Sequence, residues 1–232
     1  MILSLLRGGQ LKEAIIVALL TFPVVLISLV IHELAHGWMA KKLGDPTAKY
    51  MGRLTLNPLS HLDPIGTVSM FFFGIGWAKP VPIDPRYFKN PKKGMALVGL
   101  AGPLSNLILA FIAALLRRIT IVGINAIILS ASPSVGLLKA LFIVEMFFEI
   151  FEFMNISLAV FNLIPVPPFD GSRVFYFLLP DKYYFGVMRY ERYIMMITLV
   201  VLFTGLLDVP LAYARGGISY LFDFIIGLVP GL

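Results

Sequence analysis

The chain has 232 residues, of which 59% are apolar and 14% charged, with a formal net charge of +6 and no cysteine. So little charge cannot cover the surface of a water-soluble domain of this length, and the lack of thiols excludes disulfides, thiolate metal sites and a cysteine nucleophile. The basic residues flank apolar stretches, which reads as membrane topology and lipid headgroup contact, with no nucleic acid partner.

The first predicted span runs over residues 14–40. Ala14 to Ile31 is 18 residues without a charge, close to the ~20 that cross a bilayer. Pro23 predicts a kink that a neighbouring helix would accommodate. Arg7 and Lys12 precede this run as in a signal sequence. The run continues past Ile31 into ionisable residues with no small-residue cleavage site, so no signal peptide is expected.

Residues 50–84 read differently. Gly52-Arg53-Leu54-Thr55-Leu56-Asn57 alternates polar and apolar residues, the period of a half-buried strand. The apolar stretch from Thr67 to Trp77 is too short to cross as a helix, and Gly74, Gly76, Pro80 and Pro82 punctuate it. A strand or hairpin with a re-entrant loop is expected, enclosed by protein or water at membrane depth.

Further spans are predicted at 95–116, at 135–163 and at 193–207, with an apolar tail at 218–229 that spans, lies at the interface or docks. The third span carries Glu145, Glu149 and Glu152 on one helical face. They would line a wet gate, pair with Lys139 or Arg118, or lie near the outer surface. The expected fold is an all-α polytopic membrane protein of about four to six transmembrane helices with a small membrane-associated strand or re-entrant region. One domain covers 1–232, with a core over about 14–175 and variable helices over about 188–232.

Charge sets the orientation. Residues 41–93 hold nine Lys and Arg, and the loop after the third span adds Arg173, Lys182, Arg189 and Arg192. The other side holds six: Arg7, Lys12, Arg117, Arg118, Lys139 and Arg215. The positive-inside rule puts the richer side in the cytoplasm and the N-terminus outside.

His32-Glu33-Leu34-Ala35-His36 ends the first span. Histidines four apart on a helix lie on one face, where two imidazole nitrogens reach one metal. Glu33 is about 100° around the helix from His32, near enough to take a proton from water at that metal. The alternative is a polar cluster facing headgroups, but ionisable groups in an apolar helix cost several kcal/mol unless paired or functional. Zinc hydrolases use three protein ligands and leave the fourth position to water. Asp170, on the same side by charge counting, is the candidate third ligand; the alternative is an ordinary Asp-Gly turn. Asn106, with Gly102 four residues earlier, either makes an interhelical hydrogen bond or supports the site. His61 would contact substrate, stabilise an oxyanion, support a ligand or cap a loop.

The chain resembles the site-2 proteases, intramembrane zinc metalloproteases. The resemblance rests on residues 32–36, on Ala101-Gly102-Pro103-Leu104-Ser105-Asn106, and on Asn162 through Gly171. Gly52 to Pro58, followed by His61 and Asp63, looks like the compact prokaryotic branch without PDZ or CBS domains. The resemblance covers about residues 15–175. It implies one Zn2+ held by His32, His36 and Asp170, with Glu33 as general base and proton donor. It further implies that Asn162 hydrogen-bonds near the reacting carbonyl or the substrate backbone. The implied substrates are single-span or membrane-tethered proteins in a prokaryotic plasma membrane, cut within or near their spans near the cytoplasmic side. The implied role is regulated intramembrane proteolysis, with the strand region pairing an unwound client. A catalytically silent client-binding protein is the alternative, although it has no need of Glu33. A metal carrier would need ionisable groups along a path, and a di-iron hydroxylase more than three histidines.

Overall fold

The structure is a computed structural model that describes residues 8–73, 79–130, 133–180, 182–183, 187 and 189–231. In chain order the helices are α1 (Leu11–Lys42), α2 (Thr47–Tyr50), α3 (Pro64–Phe73), α4 (Pro91–Ser130), α5 (Val135–Asn162), α6 (Gly171–Leu178), α7 (Glu191–Phe203) and α8 (Asp208–Gly227). Short 3-10 turns lie at Pro58–Ser60 and Pro85–Tyr87. Among the described residues α1 and α4 are each long and apolar enough to cross a bilayer. The α7–α8 pair is bent by 84° and supplies a third candidate if it is one span.

At 1.5 Å per residue, the 32 residues of α1 extend about 48 Å, more than a ~30 Å hydrocarbon core. Pro23 lies inside α1 without ending it. The 40-residue α4 outruns its expected span and includes Pro103. The fourth expected span, 193–207, falls on α7, which already ends at Phe203, and α8 takes up the apolar tail expected at 218–229.

Four helices build the core. Val25 and Leu29 of α1 pack on Leu158 of α5. Ala110 and Ala114 of α4, with no bulk beyond Cβ, let Ile156 and Val160 of α5 and Phe222 and Ile226 of α8 close around them. Ala40, Phe88 and Val98 close the end that carries Lys41 and Lys42.

The expected strand does not form among the described residues; residues 52–57 are irregular. Local bonds occupy the groups a ladder would use. Arg53 N–H donates to Ala48 O, Asn57 N–H to Thr55 Oγ1, and the Thr55 carbonyl accepts from His61 Nε2 at 2.7 Å. Much of the expected re-entrant stretch is the helix α3. Gly74, Gly76 and Trp77 lie outside the described residues.

The 79–84 segment is extended and pinned along its length. Lys79 N–H donates to His61 O at 2.8 Å and Asp84 N–H to Asp45 Oδ2 at 2.8 Å. Asp45 is fully buried, and its other oxygen accepts from Thr47 N–H. These bonds lock the segment to the chain just beyond α1.

The glutamates of α5 meet Arg117 of α4, rather than Lys139 or Arg118. Arg117 Nε donates to Glu145 Oε1 at 2.8 Å, while Nη2 lies 3.6 Å from Glu149 and Nη1 3.5 Å from Glu152. Glu152 is buried and also accepts from Ser219 Oγ of α8 at 2.9 Å. One guanidinium thus offsets carboxylates that would otherwise repel, and the cluster joins α4, α5 and α8. Arg117→Leu is expected to destabilise the bundle by about 3 kcal/mol, because it strands buried acid. Thermal unfolding of the detergent-solubilised protein tests this: the midpoint should fall for Arg117→Leu and hold for the exposed Arg118→Leu.

Candidate metal centre

His32 and His36 sit on the buried face of α1. Their Nε2 atoms are 3.1 Å apart, and Asp170 Oδ2 lies 3.1 Å from His32 Nε2 and 3.2 Å from His36 Nε2. A tetrahedral zinc with ligands at ~2.0–2.1 Å separates its ligand atoms by about 3.3 Å. The triangle therefore matches one face of such a site. It is the group among the described residues whose atoms converge in this way.

The neighbours fix which nitrogen faces inward. His36 Nδ1 is 2.7 Å from Val98 O, which only accepts, so Nδ1 carries a proton and the neutral ring presents its lone pair on Nε2. His32 Nδ1 is 2.5 Å from Asn106 Oδ1. The Asn106 amide cannot be reversed without loss, because its Nδ2 donates to Asn155 Oδ1 at 2.8 Å and approaches Ser28 O at 3.5 Å. Asn155 Nδ2 in turn donates to Ser28 Oγ at 2.8 Å and Phe151 O at 2.9 Å. His32 too is left with its lone pair on Nε2. Two imidazole lone pairs and a carboxylate oxygen converge, an arrangement that suits a cation.

Asp170 arrives from the turn after α5. The chain doubles back at Leu163, and Phe169 packs edge-on against Phe161 with ring centroids 4.5 Å apart. A Cβ at Gly171 would lie 2.3 Å from Leu163 O, so this turn requires glycine. Asp170 occupies the N-cap position of α6 but makes no capping bond with its side chain. Its carboxylate faces the histidines instead of closing a local Asp-Gly turn.

Glu33 lies beside the triad, and its Oε2 accepts from Val81 N–H at 2.9 Å. With Pro80 and Pro82 on either side, Val81 offers the sole N–H of that tripeptide. His32, Glu33, His36, Asn162 and Asp170 line one cavity of about 580 Å³. The corner between α7 and α8 contributes Leu202, Asp208 and Arg215 to its wall. Asn162, the last residue of α5, donates from Nδ2 to Leu158 O at 3.0 Å. His61 lies elsewhere, fully buried, bonding Thr55 O through Nε2. It ties the 53–61 loop to the 79–84 segment and does not line the cavity.

Sequence reasoning missed Ser28, Asn155 and the contact role of Gly102. Ser28 and Asn155 had a signal: each is a polar residue in an apolar span, and Ser28 is one helical turn before His32. Gly102 has a different role. A Cβ there would sit 2.4 Å from His36 Nε2 and 2.6 Å from His32 Cε1. Alanine favours the helix yet would push both rings aside. Gly102→Ala is expected to keep its circular dichroism while losing most of its bound zinc; full zinc retention would contradict the close packing.

Comparison with known proteins agrees. The profile described as Peptidase family M50 matches residues 20–205. The chain is 42% identical over 181 residues to YwhC of Bacillus subtilis (strain 168), whose name assigns it provisionally as a zinc metalloprotease, covering 78% of each. It is 29% identical over 162 residues to Zinc metalloprotease MJ0392 of Methanocaldococcus jannaschii, covering 70% of this chain and 35% of that one. Similarity to Rip2 of Mycolicibacterium smegmatis, also named provisionally as a zinc metalloprotease, is 29% over 152 residues, covering 63% of this chain and 52% of Rip2. No solved structure matches the chain. Apolar helices, a His-His-Asp triad and these relatives converge on one conclusion: the chain belongs to peptidase family M50, the site-2 proteases, and is a zinc metalloprotease of the membrane.

Proposed function

We propose that this protein cuts client membrane proteins within or near their transmembrane segments, in regulated intramembrane proteolysis. The observation that carries this reading is where the triad sits on the chain: His32 and His36 follow directly on the 18 uncharged residues Ala14–Ile31, in a helix long and apolar enough to cross a bilayer.

His32, His36 and Asp170 would hold the zinc, which when bound would supply Lewis acidity, lowering the pKa of water to about 7 and polarising a scissile carbonyl. Glu33 takes the proton from the attacking water and passes it to the leaving amine. Its Oε2 is held by Val81 N–H, which leaves Oε1 to receive the proton. Asn162, on the rim of the same cavity, bonds the reacting carbonyl or the client backbone. Its present Leu158 bond uses one amide hydrogen and leaves the second for that contact. Asn106 supports His32 and does not touch the client.

The bundle lies in a prokaryotic plasma membrane with the Lys41–Lys42 end of α1 in the cytoplasm and the N-terminus outside. Four passes follow if α5 and the α7–α8 pair, taken as one span, join α1 and α4 in the bilayer, and five if α7 and α8 each cross; the length of α5, 28 residues, is sufficient. Residues 1–232 act as one domain. The clients are single-span or membrane-tethered proteins, unwound before cleavage because a helical peptide bond is shielded.

Purified protein mixed with a single-span client should cleave it, and Glu33→Gln should slow cleavage by at least ~100-fold, the scale of general acid–base catalysis. Equal cutting by both proteins would eliminate proteolysis through Glu33 and favour a silent client binder. Wild type should hold about one zinc per chain, and Asp170→Ala should lose most of it; a variant with full zinc would remove Asp170 from the ligands. For orientation, Asn90→Cys places a single thiol in a chain that otherwise has none. It should react only with reagent on the cytoplasmic side, and labelling from outside would invert the topology.

A further inference from the structure

The buried amides behind the metal centre form a chain across three helices: Ser28 on α1, Asn155 on α5, Asn106 on α4, and His32 back on α1. Asn106 and Asn155 are both fully buried. An Asn amide has an oxygen face and a nitrogen face of nearly equal shape. Nothing in the contact with His32 alone decides which one His32 meets. If the amide nitrogen faced His32 Nδ1, that atom would have to accept, the ring proton would move to Nε2, and the lone pair facing Asp170 and His36 would be lost.

We infer that Asn155 is a positioning residue for the metal, acting through Asn106 to hold His32 in the tautomer that presents Nε2 as a ligand. The direction of the chain enforces this. Asn155 Nδ2 is committed to Ser28 Oγ at 2.8 Å and Phe151 O at 2.9 Å, so Oδ1 is the face left toward Asn106. An oxygen there accepts only, which draws Asn106 Nδ2 to it at 2.8 Å and turns Asn106 Oδ1 to His32. Phe151 O anchors the far end of this relay because a carbonyl cannot reverse its role. His36 needs no such device: its Nδ1 meets a carbonyl, Val98 O, directly. The two ligand histidines therefore reach the same tautomer by different routes, and only one depends on α5.

This inference rests on the zinc reading, and the experiment separates the two. Metal affinity is measured by competition with a chromophoric chelator on full-length protein in detergent, alongside the absorption spectrum of the cobalt-substituted form. Gel filtration checks that each variant remains monodisperse. Asn155→Leu fills similar space and removes the oxygen that orients Asn106. It should weaken zinc binding by about 10–100-fold, the usual cost of losing a partner behind a metal ligand. The decisive variant adds Asn106→Asp. A carboxylate presents oxygen in either orientation, so it accepts from His32 Nδ1 without guidance from Asn155. The double variant Asn106→Asp/Asn155→Leu should recover most of the affinity and the wild-type cobalt spectrum. A packing role for Asn155 would not be rescued this way. Wild-type affinity in Asn155→Leu, or a double variant as weak as Asn155→Leu, would overturn the inference and leave the zinc reading standing. Wild type that takes up no metal would overturn both.

Discussion

Two imidazole nitrogens and a carboxylate oxygen within 3.2 Å of one another, inside a bundle of apolar helices, are the constraint on which this molecule is built. Left alone, three lone pairs at that range repel, and burial makes the repulsion stronger. A divalent cation turns the same arrangement into attraction. The surrounding features follow from presenting lone pairs inward and keeping bulk away. Val98 O and Asn106 Oδ1 take the outward-facing ring protons. Gly102 removes the Cβ that would occupy the space of the rings. Gly171 allows the turn to double back so that Asp170 reaches α1.

The bundle delivers these groups from separate parts of the chain, so its packing is part of the chemistry. Helix α1 carries both histidines and Glu33, α4 carries Gly102 and Asn106, and α5 carries Asn155 and leads into the Asp170 turn. The apolar contacts between α1 and α5 and among α4, α5 and α8 set the distances. Charge contributes farther along, where Arg117 offsets Glu145, Glu149 and Glu152 and Ser219 joins α8 to the same cluster. The sequence left these glutamates between a wet gate, a pair with Lys139 or Arg118, and the outer surface; the cation that meets them is Arg117, next to one of those candidates.

What was legible in the sequence was local or periodic. His32 and His36 share a helical face by spacing alone, and the long uncharged runs announce α1 and α4. Asp170 came from charge asymmetry combined with the need for a third ligand, and from the family resemblance; its carboxylate lies beside both histidine Nε2 atoms and makes no capping bond. Alternation over residues 52–57 misled because a period of two describes side chains and says nothing about whether backbone groups are free to pair. There the Thr55 carbonyl and the N–H groups of Arg53 and Asn57 are already occupied. Asn155 escaped because its role depends on which face of an amide points where, a property only tertiary packing determines.

The same accounting of backbone groups bears on how an unwound client would be held. Strand addition needs donors and acceptors in alternation. Between Lys79 and Asp84, two of six residues are proline and offer no N–H. Lys79, Val81 and Asp84 have committed theirs to His61 O, Glu33 Oε2 and Asp45 Oδ2. Ile83 is the remaining donor of the six. A client laid against this edge would therefore meet mostly carbonyls unless it displaced one of those bonds. Of the three, the Lys79 and Asp84 bonds hold the segment to the chain, whereas the Val81 bond holds Glu33. Exchanging Val81 N–H from Glu33 to a client carbonyl would give the strand its missing donor and free the carboxylate in the same movement. If a client strand is held at this edge, the donor nearest the candidate base is the one that now orients it.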